Sequence, residues 1–215
     1  LDVTMPVTKH NYKVKNASDL VPTIREAFAL ARSGRPGPVL IDVPRNLFFE
    51  EVAYTEQKRE EHQHGKPDAD FIICAAEAAA EIVNAERPLV IVGGGVISAG
   101  ASAETVAFIE KYQLPVVHTL MGMGAVPSTH PQMLGFIGMH GAKAANYTVG
   151  AADLVIALGS RFADRLTGNL SKFTANRRFI HIDIDPAEID KNVGSSIGLA
   201  GDMRVILNLL MRQEP

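Results

Sequence analysis

The stretch Asp153-Leu-Val-Ile-Ala-Leu-Gly-Ser-Arg-Phe-Ala-Asp-Arg165 decides the fold class, because an apolar run breaks there into glycine and two arginines. The five apolar residues from Leu154 to Leu158 are typical of a strand that is buried on both faces of a parallel sheet. In open α/β sheets the ligand crevice lies at the carboxyl ends of the strands. Gly159-Ser160-Arg161 follows this strand and offers close backbone approach and a fixed positive charge. We therefore expect a ligand site at this point.

The segments on both sides of this strand alternate between helix and strand. Before it, the pattern predicts helices over 68–85, 102–112 and 142–149 and strands over 88–92 and 115–118. After it, strands over 178–183 and 197–200 precede a helix over 202–211. The crossover 162–176 has weak helical periodicity, so it is predicted as a loop with at most a short helix. The sequence thus predicts an α/β fold, a doubly wound, Rossmann-like sheet of five or six parallel strands.

The first 50 residues contain a short polar, β-prone stretch over 9–15 and then predict one helix and one strand, which is too little for a domain. Ser18-Asp19 provides an N-cap, and Val21, Ile24 and Phe28 form the predicted apolar face of the helix. A strand over 39–43 follows, and the polar segment 51–67 is typical of a linker. We therefore expect three parts, 1–50 from one domain, linker 51–67 and a central domain 68–215. The start lacks an initiator Met and a signal peptide, which favours a fragment of a longer protein.

Composition excludes several classes of function. The net charge of −3 gives no basic patch for nucleic acid, and no apolar run is long enough for a membrane span. The single cysteine, Cys74, excludes an intramolecular disulfide and favours a reducing, cytoplasmic setting. His62 and His64 lie in the polar linker, where a solvated pair is favoured over a metal site. No catalytic residue and no metal ligand set emerges from residue types and spacing.

Two strand ends offer nucleotide-binding features, each with a structural alternative. The glycines 93–95 could turn backbone amides toward a phosphate, but they do not form Gly-x-Gly-x-x-Gly and also fit a tight turn. Asp183 follows Gly159 at close to the roughly 20-residue spacing of a ribose-binding acid. Alternatively, Asp183 and Asp185 cap the turn into Pro186.

A ligand-binding interpretation and a structural one also compete for His140, Arg161 and Arg165. His140 lies in a glycine-flanked loop at a predicted helix start, where it either faces a ligand or is a plain loop residue. Arg161 and Arg165 share a face if their segment is helical, and otherwise form an exposed group with Asp164.

Five motifs in order carry a resemblance that covers essentially the whole chain. The chain resembles the large catalytic subunit of acetolactate synthase, a thiamine diphosphate enzyme family, in Ser33-Gly-Arg-Pro-Gly-Pro-Val-Leu-Ile-Asp-Val-Pro44, Thr119-Leu-Met-Gly-Met-Gly124, Gly138-Met-His-Gly141, Gly159-Ser-Arg-Phe-Ala-Asp-Arg165 and His181-Ile-Asp-Ile-Asp-Pro186. The resemblance implies that 1–50 ends a pyrimidine-binding domain and that 68–215 is a central domain holding FAD in a structural role. The sites for thiamine diphosphate and Mg²⁺ would lie largely outside this chain, which is therefore expected to be inactive alone.

The resemblance also implies site residues. The FAD contacts map onto Gly93, Gly94, Thr119, Leu120, Met139, His140, Gly159, Ser160, Arg161, Asp183, Ile184, Gly201 and Asp202. Met139 and Arg165 would border the substrate, with the Arg165 guanidinium suited to a keto-acid carboxylate. One departure is Ala163, where the family commonly has aspartate, and this change affects one contact on the flavin side.

For the whole enzyme, the resemblance implies decarboxylation of pyruvate and addition of the two-carbon unit to pyruvate or 2-ketobutyrate, in branched-chain amino acid biosynthesis. It also implies a homo-oligomer, with or without a regulatory small subunit. Two other classes compete with this interpretation. One is a free-standing flavin or nucleotide module, and the other is an NAD-dependent deacylase, which is disfavoured because that class needs a zinc ribbon and this chain has one cysteine.

Overall fold

A computed structural model of the chain describes residues 2–54 and 68–213. The chain divides into two compact units, Leu1–Gln63 and His64–Pro215. Most of the proposed linker 51–67 and the pair His62 and His64 lie outside the described residues. The boundaries at 50 and 68 therefore stay a prediction.

The first unit contains a helix between two parallel strands. Strand β1 (His10–Lys13) pairs with β2 (Val39–Asp42), and helix α1 (Leu20–Arg32) connects them. A small core of Val14, Ala17 and Leu47 lies beside them. Such a two-stranded sheet buries little apolar surface.

The predicted apolar face of α1 is wrong. Phe28 is 67% exposed and Ile24 is 37% exposed, whereas Ala27 is buried. The helix carries apolar residues on more than one side, and the stripe with the small Ala27 is the one that is buried. Asp19 is the N-cap residue, but its side chain makes no cap hydrogen bond, because a 3₁₀ turn over Ala17–Asp19 already gives it helical dihedrals.

The second unit has one sheet of six parallel strands, which confirms the predicted fold class. Its strands are β3 (Pro88–Val92), β4 (Val116–His118), β5 (Met133–Phe136), β6 (Leu154–Leu158), β7 (Arg178–Asp183) and β8 (Ile197–Ala200). Their spatial order is β5-β4-β3-β6-β7-β8. The chain thus winds outward from β3 in one direction and from β6 in the other, so the topological switch point lies between β3 and β6.

Helices cover both faces of this sheet. The helices are α2 (Ala69–Asn84), α3 (Gly94–Ser98), α4 (Ser102–Lys111), α5 (Lys143–Ala151), α6 (Asp164–Thr167), α7 (Leu170–Thr174) and α8 (Met203–Arg212). Leu154, Ile156 and Leu158 of β6 belong to the core that α2, α4 and α8 cover, and Val155 and Ala157 belong to the core on the other face. All five are fully buried, as a strand enclosed on both faces requires. Within the described residues, no helix has the length and apolar character needed to cross a membrane.

Three elements differ from the prediction. Strand β5 is absent from it, because the strand has only four residues and contains Gly135 at φ +103°. The glycines after β3 lead directly into α3 rather than forming only a loop. The crossover 162–176 contains two short helices, α6 and α7, instead of at most one.

Candidate functional site

The residues that the sequence singled out follow the carboxyl ends of the six strands. Because the strands are parallel, these ends lie along one edge of the sheet, which we call the carboxyl edge. The positions are Gly93 and Gly94 after β3, Thr119 and Leu120 after β4, Met139 and His140 after β5, Gly159, Ser160 and Arg161 after β6, Asp183 and Ile184 at the end of β7, and Gly201 and Asp202 after β8. The fold thus gathers segments that are far apart in the sequence.

The glycines after β3 and β6 contact each other at the switch point. A Cβ on Gly93 would lie 2.1 Å from the Gly159 carbonyl oxygen, and one on Gly159 would lie 2.5 Å from the Gly95 Cα. Gly159 also has φ +57°, a conformation that favours glycine. The Gly93 amide donates to the Leu158 carbonyl at 2.8 Å, and the Gly95 amide donates to the Gly159 carbonyl at 3.1 Å. These two amides therefore serve the close crossing of two loops rather than a phosphate.

Apolar side chains are exposed along the carboxyl edge. Leu120 is 65% exposed, Met121 is 72% exposed and Met139 is 73% exposed, while Ile184 is 38% exposed. Leu120 and Met121 lie in a short 3₁₀ turn, Leu120–Gly122, that the Thr119 hydroxyl caps by accepting from the Gly122 amide at 3.2 Å. Large apolar side chains beside strand ends are what a flat, partly apolar ligand would cover.

Arg161 and Arg165 are both exposed, but they do not share a helix face. Helix α6 begins only at Asp164, after Arg161, so the helical alternative for this pair is wrong. The Asp164 carboxylate accepts from the Arg165 amide at 2.8 Å. Ala163 is exposed at the N-cap of α6 and has no side-chain acceptor, at a position where aspartate would cap the helix.

The two predicted substrate residues are joined through their main chains. The Met139 amide donates to the Arg165 carbonyl at 2.9 Å, and a Cβ on Gly138 would lie 2.7 Å from the same oxygen. The segment after β5 therefore packs directly on the segment after β6. This contact places Met139 and Arg165 on neighbouring backbone.

The acidic candidates have local structural roles. Asp183 is buried, and its Oδ1 accepts from the Asp185 amide at 3.0 Å, as in the turn-capping alternative. Asp202 accepts from the amides of Arg204 and Val205 at 2.9 and 3.2 Å, so it is the N-cap of α8. Neither set of hydrogen bonds shows a contact of these carboxylates with a ribose.

His140 lies in an exposed turn before α5. The Gly141 amide donates to the Gly138 carbonyl at 2.9 Å and closes this turn. Ser160, by contrast, is only 4% exposed, so it is buried beyond the end of β6.

Sequence reasoning missed Phe162 and His181. Phe162 is 2% exposed and has φ +50°, which is a rare and costly conformation for a bulky residue, worth about 1 to 3 kcal/mol. His181 is 1% exposed, so its imidazole ring lies in the interior of the second unit. Burial lowers the pKa of His181, while the carboxylates of Asp183, Asp190 and Glu188 act in the opposite direction. The alternation along β7 places His181 on the same face as Phe179, but nothing in the sequence reveals the strain at Phe162.

The residues at the carboxyl edge fit FAD, the cofactor that the resemblance implies. The exposed apolar side chains suit its rings, and the guanidinium of Arg161 suits its diphosphate. Among residues 2–54 and 68–213 there is no group of three or more His, Cys, Asp or Glu side chains that could hold a metal ion.

Comparison with known proteins identifies the class to which this sheet and its edge belong. Residues 75–210 match the family model described as thiamine pyrophosphate enzyme, central domain, and the chain belongs to this family. The chain is 43% identical to the probable acetolactate synthase large subunit of Methanocaldococcus jannaschii over 215 residues, which are 98% of this chain and 36% of that protein. It is 41% identical to the acetolactate synthase large subunit of Mycobacterium tuberculosis over 210 residues, which are 97% of this chain and 34% of that protein. It is 40% identical to the acetolactate synthase isozyme 3 large subunit of Escherichia coli over 212 residues, which are 97% of this chain and 37% of that protein. The chain therefore spans little more than a third of the length of these relatives.

Proposed function

We propose that this chain supplies the FAD-binding central domain of an acetolactate synthase large subunit. The observation that carries the proposal is the likeness of nearly the whole chain to proteins of that name from an archaeon and from bacteria. The carboxyl edge supports it, because the residues expected to contact FAD all follow strand ends of one sheet. The parent enzyme would join a two-carbon unit from pyruvate to pyruvate or 2-ketobutyrate in branched-chain amino acid biosynthesis.

In the parent enzyme, thiamine diphosphate with Mg²⁺ would supply the carbanion stabilisation that decarboxylation of a 2-keto acid requires. The residues of this chain bind and orient. Arg165 holds the carboxylate of a 2-keto acid through two parallel hydrogen bonds, and Met139 provides an apolar wall beside it. Arg161 binds the FAD diphosphate, and Leu120 and Ile184 cover apolar parts of the flavin. No residue of this chain moves a proton in this scheme.

The proposal includes the setting of the parent enzyme. We expect a cytoplasmic homo-oligomer of the large subunit, with or without a regulatory small subunit. Its small-molecule partners are 2-keto acids.

A visible spectrum of the purified chain tests the cofactor. We compare the 215-residue chain with a longer protein that includes both neighbouring domains, each mixed with FAD and then freed of unbound flavin. Flavin retained only by the longer protein supports the proposal. A 215-residue chain that stays yellow and is reduced and reoxidised reversibly would favour a free-standing flavin module, and absence of flavin from both proteins would refute the FAD site.

An activity assay tests the division of labour. The 215-residue chain, supplied with thiamine diphosphate, Mg²⁺, FAD and pyruvate, is expected to form no acetolactate, because the catalytic groups are expected on other domains. The longer protein is expected to form it. Acetolactate formation by the 215-residue chain alone would contradict this assignment.

A further inference from the structure

The segment 159–165 carries an unusual anchor at Phe162. It begins at Gly159 with φ +57° and passes through Phe162 with φ +50°, so the chain turns through two left-handed residues within four positions. A bulky residue rarely adopts this conformation, and it persists only where surrounding contacts compensate. Such contacts surround the Phe162 ring.

The ring of Phe162 lies at the centre of an aromatic cluster. Its centroid is 5.0 Å from that of His181, 5.6 Å from that of Phe179 and 6.1 Å from that of Phe173, each with edge-to-face geometry. Phe179 and His181 belong to β7, and Phe173 belongs to α7. All four side chains are at most 8% exposed. This arrangement fixes the ring to two elements of the fold that are independent of the segment itself.

The residues on both sides of this anchor are those that the proposed function uses. Arg161 is exposed immediately before it and Arg165 is exposed three residues after it, and the Asn192 side chain donates to the Arg161 carbonyl at 2.8 Å. The Arg165 carbonyl accepts from the Met139 amide at 2.9 Å, so a shift of the segment would also move Met139.

We propose that Phe162 is a positioning residue, whose buried ring holds the strained segment 159–165 so that Arg161 and Arg165 are presented at the carboxyl edge. This inference rests on the proposed function for the roles of the two arginines. The mechanical part, that the ring holds the segment, stands on the geometry alone.

Amide hydrogen exchange of Met139 tests the mechanical part, because this amide reports the contact with Arg165. Three variants of the 215-residue chain are compared. Phe162→Leu removes the ring, Phe162→Gly removes the ring and relieves the backbone strain, and the control Phe108→Leu removes a fully buried ring from the core on the other face of the sheet. We expect Met139 exchange to accelerate about tenfold or more in both Phe162 variants and by less than about threefold in Phe108→Leu. Equal acceleration in the control, or unchanged exchange in Phe162→Gly, would overturn the proposal.

Flavin affinity and substrate kinetics in the longer protein test the functional part. We expect Phe162→Leu to raise the Kd for FAD and the KM for pyruvate each about tenfold, with kcat reduced less, while Phe108→Leu leaves both constants within about twofold. If the unmodified protein binds no FAD, the proposed function fails while Met139 exchange still decides the role of the ring. Should Phe162→Leu not fold, Phe162→Met, which keeps an apolar side chain of similar volume, replaces it in the same comparisons.

Discussion

At the scale of single residues, Gly93 lies where two loops cross too closely for any side chain. A Cβ at Gly93 would lie 2.1 Å from the Gly159 carbonyl oxygen, a backbone atom that cannot rotate away. We expect Gly93→Ala to lower the free energy of unfolding by about 3 kcal/mol or more, as severe overpacking does. Denaturant unfolding measures this loss.

Gly100→Ala is the matched control for backbone strain. Gly100 has φ +62°, but a Cβ there meets nothing within 4 Å. Its replacement is expected to cost only about 1 kcal/mol, the strain of a left-handed alanine. Equal losses in the two variants would show that the crossing at Gly93 yields easily.

His181 makes the stability of the second unit depend on pH. Burial lowers its pKa in the folded protein, so the unfolded chain binds the proton first as the pH falls. The free energy of unfolding is therefore expected to fall as the pH drops below about 6.5, with a slope of at most about 1.4 kcal/mol per pH unit, and to level off below the folded pKa. Asp183, Asp190 and Glu188 reduce the effect, because their charges favour the protonated ring.

His181→Leu should flatten this part of the pH profile. His140→Ala, which removes an exposed histidine of the same unit, is the control and should retain the slope. Unfolding curves between pH 5 and about 8 are sufficient to compare the three proteins. An unchanged slope in His181→Leu would assign the dependence to other groups.

In the longer protein, the proposed cofactor contact and the proposed substrate contact can be tested separately at Arg161 and Arg165. Both side chains are exposed. Lysine at either position keeps the positive charge but loses the planar guanidinium group, which can form two parallel hydrogen bonds to one anion. We expect Arg165→Lys to raise the KM for pyruvate about tenfold with the Kd for FAD nearly unchanged, and Arg161→Lys to do the reverse. The result would contradict the assigned roles if both variants altered the same constant.

At the scale of elements, the sequence predicted the long regular segments well and the short ones poorly. The sequence predicts strand β6 because its five residues form an unbroken apolar run, as expected of a strand buried on both faces. It predicts α8 because the apolar residues there have helical spacing. Strand β5 and helix α3 are short and glycine-containing, so local propensity opposes them, and packing against neighbouring strands and loops decides their conformation. The prediction of the buried face of α1 was wrong for a related reason, because hydrophobic periodicity does not show which of several apolar stripes is buried.

Asp202 gives helix α8 a cap that is separable from any ligand contact. Its carboxylate accepts from the Arg204 and Val205 amides, and the helix buries Ile206, Leu207 and Leu210 in the core. Asp202→Ala is expected to lower the free energy of unfolding by about 1 kcal/mol, whereas Asp202→Asn, which keeps an acceptor oxygen, should cost much less. Thermal or denaturant unfolding of the three proteins tests this. Equal losses would mean that charge, rather than the cap hydrogen bonds, stabilises this end.

At the scale of the whole molecule, the two units differ greatly in buried apolar surface. The second unit has a six-stranded sheet with cores on both faces, whereas the first has two strands and three buried apolar residues in its cluster. We expect a fragment of residues 68–213 to unfold in one cooperative transition and a fragment of residues 2–54 to show none, because so small a sheet is not independently stable. Circular dichroism during heating distinguishes the two. A cooperative transition in the short fragment would contradict this view.

The sequence located the candidate site better than it described the site. Strand ends could be recognised locally, and the parallel topology then gathers Gly93, Gly159 and Asp183 at one edge. The tie between Met139 and Arg165 and the strain at Phe162 depend on contacts between distant segments, which no local pattern encodes. The FAD and substrate roles of the site residues remain predictions.

The order of the strands also has a consequence for how quickly the sheet forms. The sheet has two halves, β3 to β5 and β6 to β8. Within them, β3 pairs with β4 and β6 pairs with β7, and the members of each pair are consecutive strands joined by one short connection. The seam between the halves joins Pro88 to Leu154, so its closure requires a much longer loop. Since non-local pairing slows folding, we infer that joining the two halves along β3 and β6 is the rate-limiting event. The contact between the loops of Gly93 and Gly159 would then form last. The carboxyl edge would therefore reach its final structure only when folding is complete.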